Sequence, residues 1–391
     1  MKLRNFFSGT LPFWFFFWIF FGALPAAVPD SALADSAPFK RHTYRPASPD
    51  RRLAFPRDHG AHPDSSYEWW YFTGHVAPVA SPGKAQDAQP EIAGFELTVF
   101  RISPLAQPDR PSYFVAHLAW SDLQTRKFRH LSFGSPEKAG VAEASQDHLK
   151  ITMPGIRVVL TSPSEISLDI DVLWEGIPFQ LKSELKSHKP VTLHGENGYS
   201  KKAECTECAS HYTSFTRLQG PLALKTEKLW AQVWFDHEFG SNSLGQSISG
   251  WDWFALQLTD GWDLMIYQLH DSQGKPAHRS GTWVDPAGKT YALEEKQITL
   301  SPVSQWTSPH TDAHYPASWK LSIDHPARSL KADLLPKLSD QEISSRGLGL
   351  ATYWEGTCEV KSPPTPTQAA HKLGDAYLEM TGYDLKRPPR F

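Results

Sequence analysis

The sequence predicts an all-β protein whose antiparallel strands curl into closed or nearly closed barrels. Three observations point there. Prolines number 32 in 391 residues and recur throughout, which breaks up long helices. Short runs of alternating apolar and polar residues follow one another between clusters of Gly, Pro and Asp. A strand pair early in the chain is echoed by a second pair further on.

The elements begin behind a leader. Lys2 and Arg4 precede the apolar run "LPFWFFFWIFFGAL", and "SALAD" places small residues at Ala32 and Ala34. This is the pattern of a secretory signal peptide over residues 1–34, with an uncleaved anchor as the alternative. Its removal takes away Lys2, Arg4 and Asp30 and moves the formal charge from −3 to −4. The expectation is an exported protein, periplasmic or secreted. It has no electrostatic footprint for nucleic acid and no second apolar run long enough to cross a bilayer. Three cysteines, Cys205, Cys208 and Cys358, are not a disulfide framework. A local Cys205–Cys208 disulfide is the expected use of "CTEC"; zinc there would want a second ligand pair.

The loop "DHGAHPD" carries Asp58, His59 and His62, and Gly60 and Pro63 exclude regular structure from it. Two histidines and an acid could hold zinc, but no fourth ligand stands out; no metal and no cofactor is assigned. In "SYEWWYF", alternation puts Glu68 and Trp70 on one face and Trp69 and Tyr71 on the other. That set suits plain packing at a barrel mouth or a wall that touches a ligand. "GFELTVFRI" separates Phe95, Leu97 and Val99 from Glu96, Thr98 and Phe100, and its Arg101 could pair with Glu68 or with an acidic ligand. "YFVAHLAWSD", with His117, keeps the period, as do "GIRVVLTS", "ISLDIDVLW" and "FQLKSELK". In "LWAQVWFDHEF", Trp234, Asp236 and Glu238 share one face, and Phe235, His237 and Phe239 the other. "WDWFALQL" sets Trp251 and Trp253 opposite Asp252, and "WDLMIYQLH" follows with Tyr267 after a hairpin turn tipped by Asp260-Gly261. Only short pieces such as "ARSLKADLLPKL" admit a helical reading.

The echo joins Glu68-Trp69-Trp70 to Asp252-Trp253-Phe254, and Gly94-Phe95-Glu96-Leu97 to Gly261-Trp262-Asp263-Leu264. It reads as a diverged duplication, against chance likeness between aromatic-rich strands. The boundary is expected near "FDHEFGSNSLGQSISG", giving one domain over residues 35–240 and a second over 241–391.

Taken together, "DHGAH", "EWWYFTGHV", "GFELTVFR", "AHLAWSD", "YTSFTRLQG", "VWFDHEFG", "GWDWFALQLTDGWDLMIYQL", "SGTW" and "YWEGTCEV" resemble the AttH/carotenoid-hydratase-like family. The resemblance runs from about Pro56 to Tyr383 and includes the exported branch labelled predicted secreted hydrolases. It implies two lipocalin-like β-barrel domains packed side by side. It also implies addition of water across a carbon–carbon double bond, as in relatives that act on carotenoids or prenylated phenols. At "KKAECTECASHYTSF" the chain departs from the family, which more usually shows a run of tyrosines; His211 stands where one of them would be.

Hydrating an alkene needs a strong proton donor, a surface that stabilises a cation, and a base for the attacking water. A carboxylic acid in an apolar pocket suits the first task. Tryptophan and tyrosine faces suit the second, and histidine or a second carboxylate the third. The candidate catalytic residues are therefore Asp236, His237, Glu238, Asp252 and Tyr267. The candidate substrate-binding residues are Glu68, Trp69, Trp70, Tyr71, Arg101, His117, Arg217, Trp251 and Trp253. Structural pairing of the acids at the domain junction, with Arg217 as a partner, is the competing reading. The expected partner is a small hydrophobic ligand, an isoprenoid or similar lipid, held in a dry hollow inside the strands. A non-catalytic carrier is one alternative; a hydrolase is another, though no G-x-S-x-G elbow is present.

Overall fold

Where one face of a strand meets a core and the other meets water, burial alternates; where both faces are covered, it does not. The computed structural model shows both kinds of strand. It describes residues 44–86, 89–104, 110–203, 208–241, 248–344 and 351–384. The expected leader and Cys205 lie outside them. Among the described residues there is no α-helix, and no helix is long and apolar enough to cross a membrane.

The first sheet contains β1 (Tyr67–Pro78), β2 (Ala93–Ile102), β3 (Tyr113–Asp122), β4 (Lys127–Pro136), β5 (Glu143–Ala144), β6 (Lys150–Met153) and β7 (Ile156–Ser162). It continues with β8 (Glu165–Trp174), β9 (Ile177–Ser187), β10 (Thr192–Leu193), β11 (Tyr199–Lys201), β12 (Ala209–Leu224) and β13 (Glu227–Gly240). The second holds β14 (Gly250–Leu258), β15 (Asp263–His270), β16 (Pro276–Val284), β17 (Thr290–Leu293) and β18 (Ile298–Thr307). Its remaining strands are β19 (His314–Ile323), β20 (Leu330–Pro336), β21 (Glu342–Ile343), β22 (Tyr353–Lys361) and β23 (Lys372–Thr381). The stretch "ARSLKADLLPKL" is thus largely strand β20, because Leu330, Ala332 and Leu334 alternate into the core.

Both sheets are antiparallel, curled and lipocalin-like, and both follow one plan. The first strand pairs with the second on one side and with the last on the other: β2-β1-β13 and β15-β14-β23. The order then runs outward to β4 and β5 in one sheet, and to β17 and β18 in the other. The echoed residues occupy matching places, since Phe72 pairs with Leu97 and Leu256 with Leu264. At the turn before β15, Gly261 takes φ +87°, a backbone region open to glycine.

The three larger of four apolar clusters among the described residues organise the two sheets, which belong to one compact unit. Trp70, Phe72, Leu97 and Phe235 fill the first concave face; Phe254, Leu256, Trp319 and Leu378 fill the second. The third lies between the sheets and combines Tyr71, Tyr212 and Trp234 with Trp253, Met265 and Tyr377. This explains the burial patterns. β8 and β9 alternate because one face meets water, whereas β13, β14 and β15 are buried on both faces along the junction. The sheets approach closely: a Cβ on Gly94 would stand 2.8 Å from Thr357 Cβ. The cavity described next lies in this third layer, between the sheets, whereas the hollow was expected inside them.

Candidate functional site

Alternation along the junction strands decides which side chains meet. Trp69 and Tyr71 of β1, Asp236 and Glu238 of β13, and Trp251 and Trp253 of β14 all turn toward the opposite sheet, where they line one cavity. Phe100, Tyr267, Glu379 and Lys202 are also among the residues that line it. Its volume is about 90 Å³, below the roughly 150 Å³ of an engineered cavity that admits benzene. A molecule larger than benzene would fit only one end there unless the walls part. Tyr71 meets the edge of Trp253 with ring centres 5.1 Å apart.

The cavity is built twice over. Trp69 pairs with Phe100 on one side and Glu238 on the other; Trp253 pairs with Tyr267 and Glu379 in the same way. Each sheet so contributes a tryptophan, a second ring and a glutamate. The two glutamates differ in their neighbours. Glu238 lies 3.0 Å from Lys202 Nζ and accepts the Ser210 hydroxyl at 2.5 Å. Lys202 stands over the rings of Tyr267 and Tyr212, at 4.3 and 4.8 Å. Burial opposes the lysine's charge, but Glu238, with Tyr267 and Asp236, outweighs it and holds its pKa above the ordinary value. Glu379 instead hydrogen-bonds with Trp251 and Thr381, and pairs in register with Glu355, a second buried acid.

Water exclusion then favours the neutral acids. Burial pushes Glu379 up to about 7, helped by the charges of Asp236 and Glu238. Asp236 is likewise pushed up to about 7 by burial, against hydrogen bonds from Ser214, Tyr212 and Trp234. The Tyr212 hydroxyl donates to Asp236 at 2.5 Å and accepts Trp253 Nε1 at 2.9 Å. Behind the wall, burial and then the charges of Glu379 and Glu96 raise Glu355 well above the carboxylate range; the Tyr71 hydroxyl donates to it at 2.7 Å. Glu96, which accepts the Thr98 hydroxyl, is pushed by burial up to about 8. Carboxylic acids beside aromatic faces are thus available at neutral pH to give up protons.

One consequence is measurable. Glu96 rises from 4.5 to about 8 on folding. Below pH 4.5 both states hold its proton; between 4.5 and 8 only the folded state does, and stability falls by about 1.4 kcal/mol per pH unit. Glu96→Gln has no proton to lose. Its stability relative to the parent protein is expected to rise between pH 5 and pH 8 in urea unfolding; an unchanged difference would contradict the assigned protonation.

The AttH-like family model matches residues 46–383. The chain is a member of the AttH-like family. A protein of Nitrosomonas europaea assigned as AttH is 28% identical; the match covers 87% of this chain and 99% of that one, with a TM-score of 0.72. Kievitone hydratase from Nectria haematococca shares the fold at 14% identity, TM-score 0.60, covering 89% and 98% of the two chains. CghA in complex with Sch210972 shares it at 10% identity, TM-score 0.50, covering 81% and 88%. No curated protein matches the chain.

In this AttH-like chain the predicted site residues separate by strand face. Asp236, Glu238, Tyr267, Trp69, Tyr71, Trp251 and Trp253 share the cavity. His117 sits just behind it, bonded at 2.5 Å to the hydroxyl of Tyr353, another lining residue. His237 and Asp252 point the other way, into the two concave cores. His237 bonds Glu68 at 2.9 Å, and Asp252 accepts Tyr383 at 2.9 Å and Gln268 at 3.1 Å. Glu68, Trp70 and Arg101 belong to the first core, where Arg101 Nε donates to Glu68 at 2.9 Å. Arg217 reaches across the junction to Asp263. Cys208 is disulfide-bonded and Cys358 is free and buried.

Sequence reasoning missed Lys202, Glu96, Glu355 and Glu379. Glu379 is the counterpart of Glu238 only through the pairing of first strand with last, which no local sequence pattern signals. Lys202 had only an indirect signal, its place in the stretch that departs from the family.

Proposed function

We propose that this protein is an exported lipocalin-like catalyst that acts on an isoprenoid or other lipidic ligand. The chemistry is cofactor-independent and acid–base: hydration of a carbon–carbon double bond or a related isomerisation. One observation carries the reading: buried carboxylic acids, Glu379 and Asp236, stand at the wall of an aromatic cavity between the sheets. The shared fold of a protein named as a hydratase supports it without deciding it.

In the proposed step the double bond takes the proton of Glu379, leaving a carboxylate on the protein and a carbocation on the ligand. Trp251, Trp253 and Trp69 present π faces to that cation. Water adds its oxygen to the cation, and its spare proton passes to Glu238, whose salt bridge to Lys202 keeps it ready to accept. Exchange with solvent returns both glutamates to their starting states, and the net change is one water added. In an isomerisation, Glu238 removes a proton from the cation instead.

The experiment titrates a polyene and a prenylated phenol against tryptophan fluorescence, then follows ¹⁸O-labelled water into whichever binds. Saturable quenching with label in the product is the expected result. Quenching without label or rearrangement would make the protein a carrier, and no quenching by either probe would remove the lipid reading.

A further inference from the structure

Behind the cavity wall, inside the first sheet, the loop before β1 meets strands β1 and β13. His62 Nδ1 lies 2.7 Å, and His237 Nε2 2.9 Å, from one and the same oxygen, Glu68 Oε1. The three donor atoms all fall within 4.8 Å of one another. We propose that His62, Glu68 and His237 form a binding site for a zinc ion.

The surroundings are those of a built site. The three side chains are at most 5% exposed. Each is tied from behind. Asp58 Oδ1 lies 3.1 Å from His62 Nε2, the carboxylate–imidazole contact that orients a metal-bound histidine. Arg101 Nε occupies Glu68 Oε2 at 2.9 Å and leaves Oε1 as the donor. Phe239 stacks on His62 at 3.5 Å and Trp70 on His237 at 5.1 Å, which fixes both rings.

Two imidazoles and one carboxylate suit zinc; calcium and magnesium would want more oxygens. The cluster is otherwise held by ring protons shared between two nitrogens and one oxygen. Zinc takes their place and sends them to solvent. Bonds of 2.0–2.1 Å imply donor–donor edges of roughly 3.3 Å, so the present contacts widen by about half an ångström. Three protein ligands leave the fourth position of a tetrahedral zinc to water. An ion here braces the cavity from behind, because Trp69 follows Glu68 and Asp236 and Glu238 flank His237.

The test uses the mature chain, stripped with chelator and titrated with zinc chloride by calorimetry in buffers of different protonation enthalpy. One zinc per chain, with proton release, is expected. His62→Gln and His237→Gln each should weaken it by roughly 100-fold or more; His314→Gln, on the surface, should leave it unchanged. Cobalt added to the unaltered protein gives a check that needs no variant, through the intense visible bands of a four-coordinate nitrogen–oxygen site. Absence of saturable zinc binding in the unaltered protein, or stoichiometric binding that survives both substitutions, overturns the proposal.

Discussion

Asp263→Ala is expected to destabilise the protein by about 3–5 kcal/mol, the cost of breaking a buried ion pair by removing one partner. Asp263 is fully buried on β15 of the second sheet, and its ligands come from the first. Lys189 Nζ lies 2.6 Å from it, Arg217 Nη2 2.5 Å, and the Thr216 hydroxyl 2.8 Å. Truncation leaves a lysine and an arginine facing each other in a dry seam. Burial already lowers the Lys189 pKa, so part of the loss is expected as proton release from that lysine at high pH. Urea unfolding of Asp263→Ala, Lys189→Met and the double variant measures the coupling. A loss below 1 kcal/mol in Asp263→Ala would mean that this ion cluster adds little to the joining of the sheets.

Glu379→Gln is expected to reduce turnover by about 10²–10⁴-fold, the usual worth of a positioned general acid, with ligand affinity nearly unchanged. Glutamine keeps the shape and the contacts with Trp251 and Thr381 but has no proton to give. The pH profile carries the sign. Glu379 must be protonated to act, so the rate should fall as pH rises through about 7, and that limb should vanish in the variant. Lys202→Met should act differently, slowing the reaction by removing the partner of Glu238 while the acid limb stays in place. Full turnover in Glu379→Gln, with the limb intact, would pass the proton donor's role to Asp236.

Much of this was legible in the residues. Period two put Trp234, Asp236 and Glu238 on one face of β13 and Phe235, His237 and Phe239 on the other, and the structure keeps that division. Which face looks into the cavity was not legible, because both faces of the junction strands are buried and neither reads as solvent-facing. His237 and Asp252 were grouped with the cavity acids for that reason. The echo between Glu68-Trp69-Trp70 and Asp252-Trp253-Phe254 marked the opening strand and hairpin of each sheet, yet the match of Glu238 with Glu379 depends on pairings between first and last strands. Local patterns carry no trace of those. Lys202 lies further still from any such pattern, since it enters the site from a loop, through one ion pair.

The pairing of first strand with last has a kinetic side. Tyr67 meets Gly240 across β1 and β13, and Asp252 meets Met380 across β14 and β23, the longest-range ladders in each sheet. Hairpins such as β8–β9 close short loops, whereas these seams close almost the whole of each sheet's chain and form slowly for that reason. A chain emerging from synthesis therefore has its hairpins long before it has the cavity between the sheets, and the glutamates stay in water until the final zippering removes them from it.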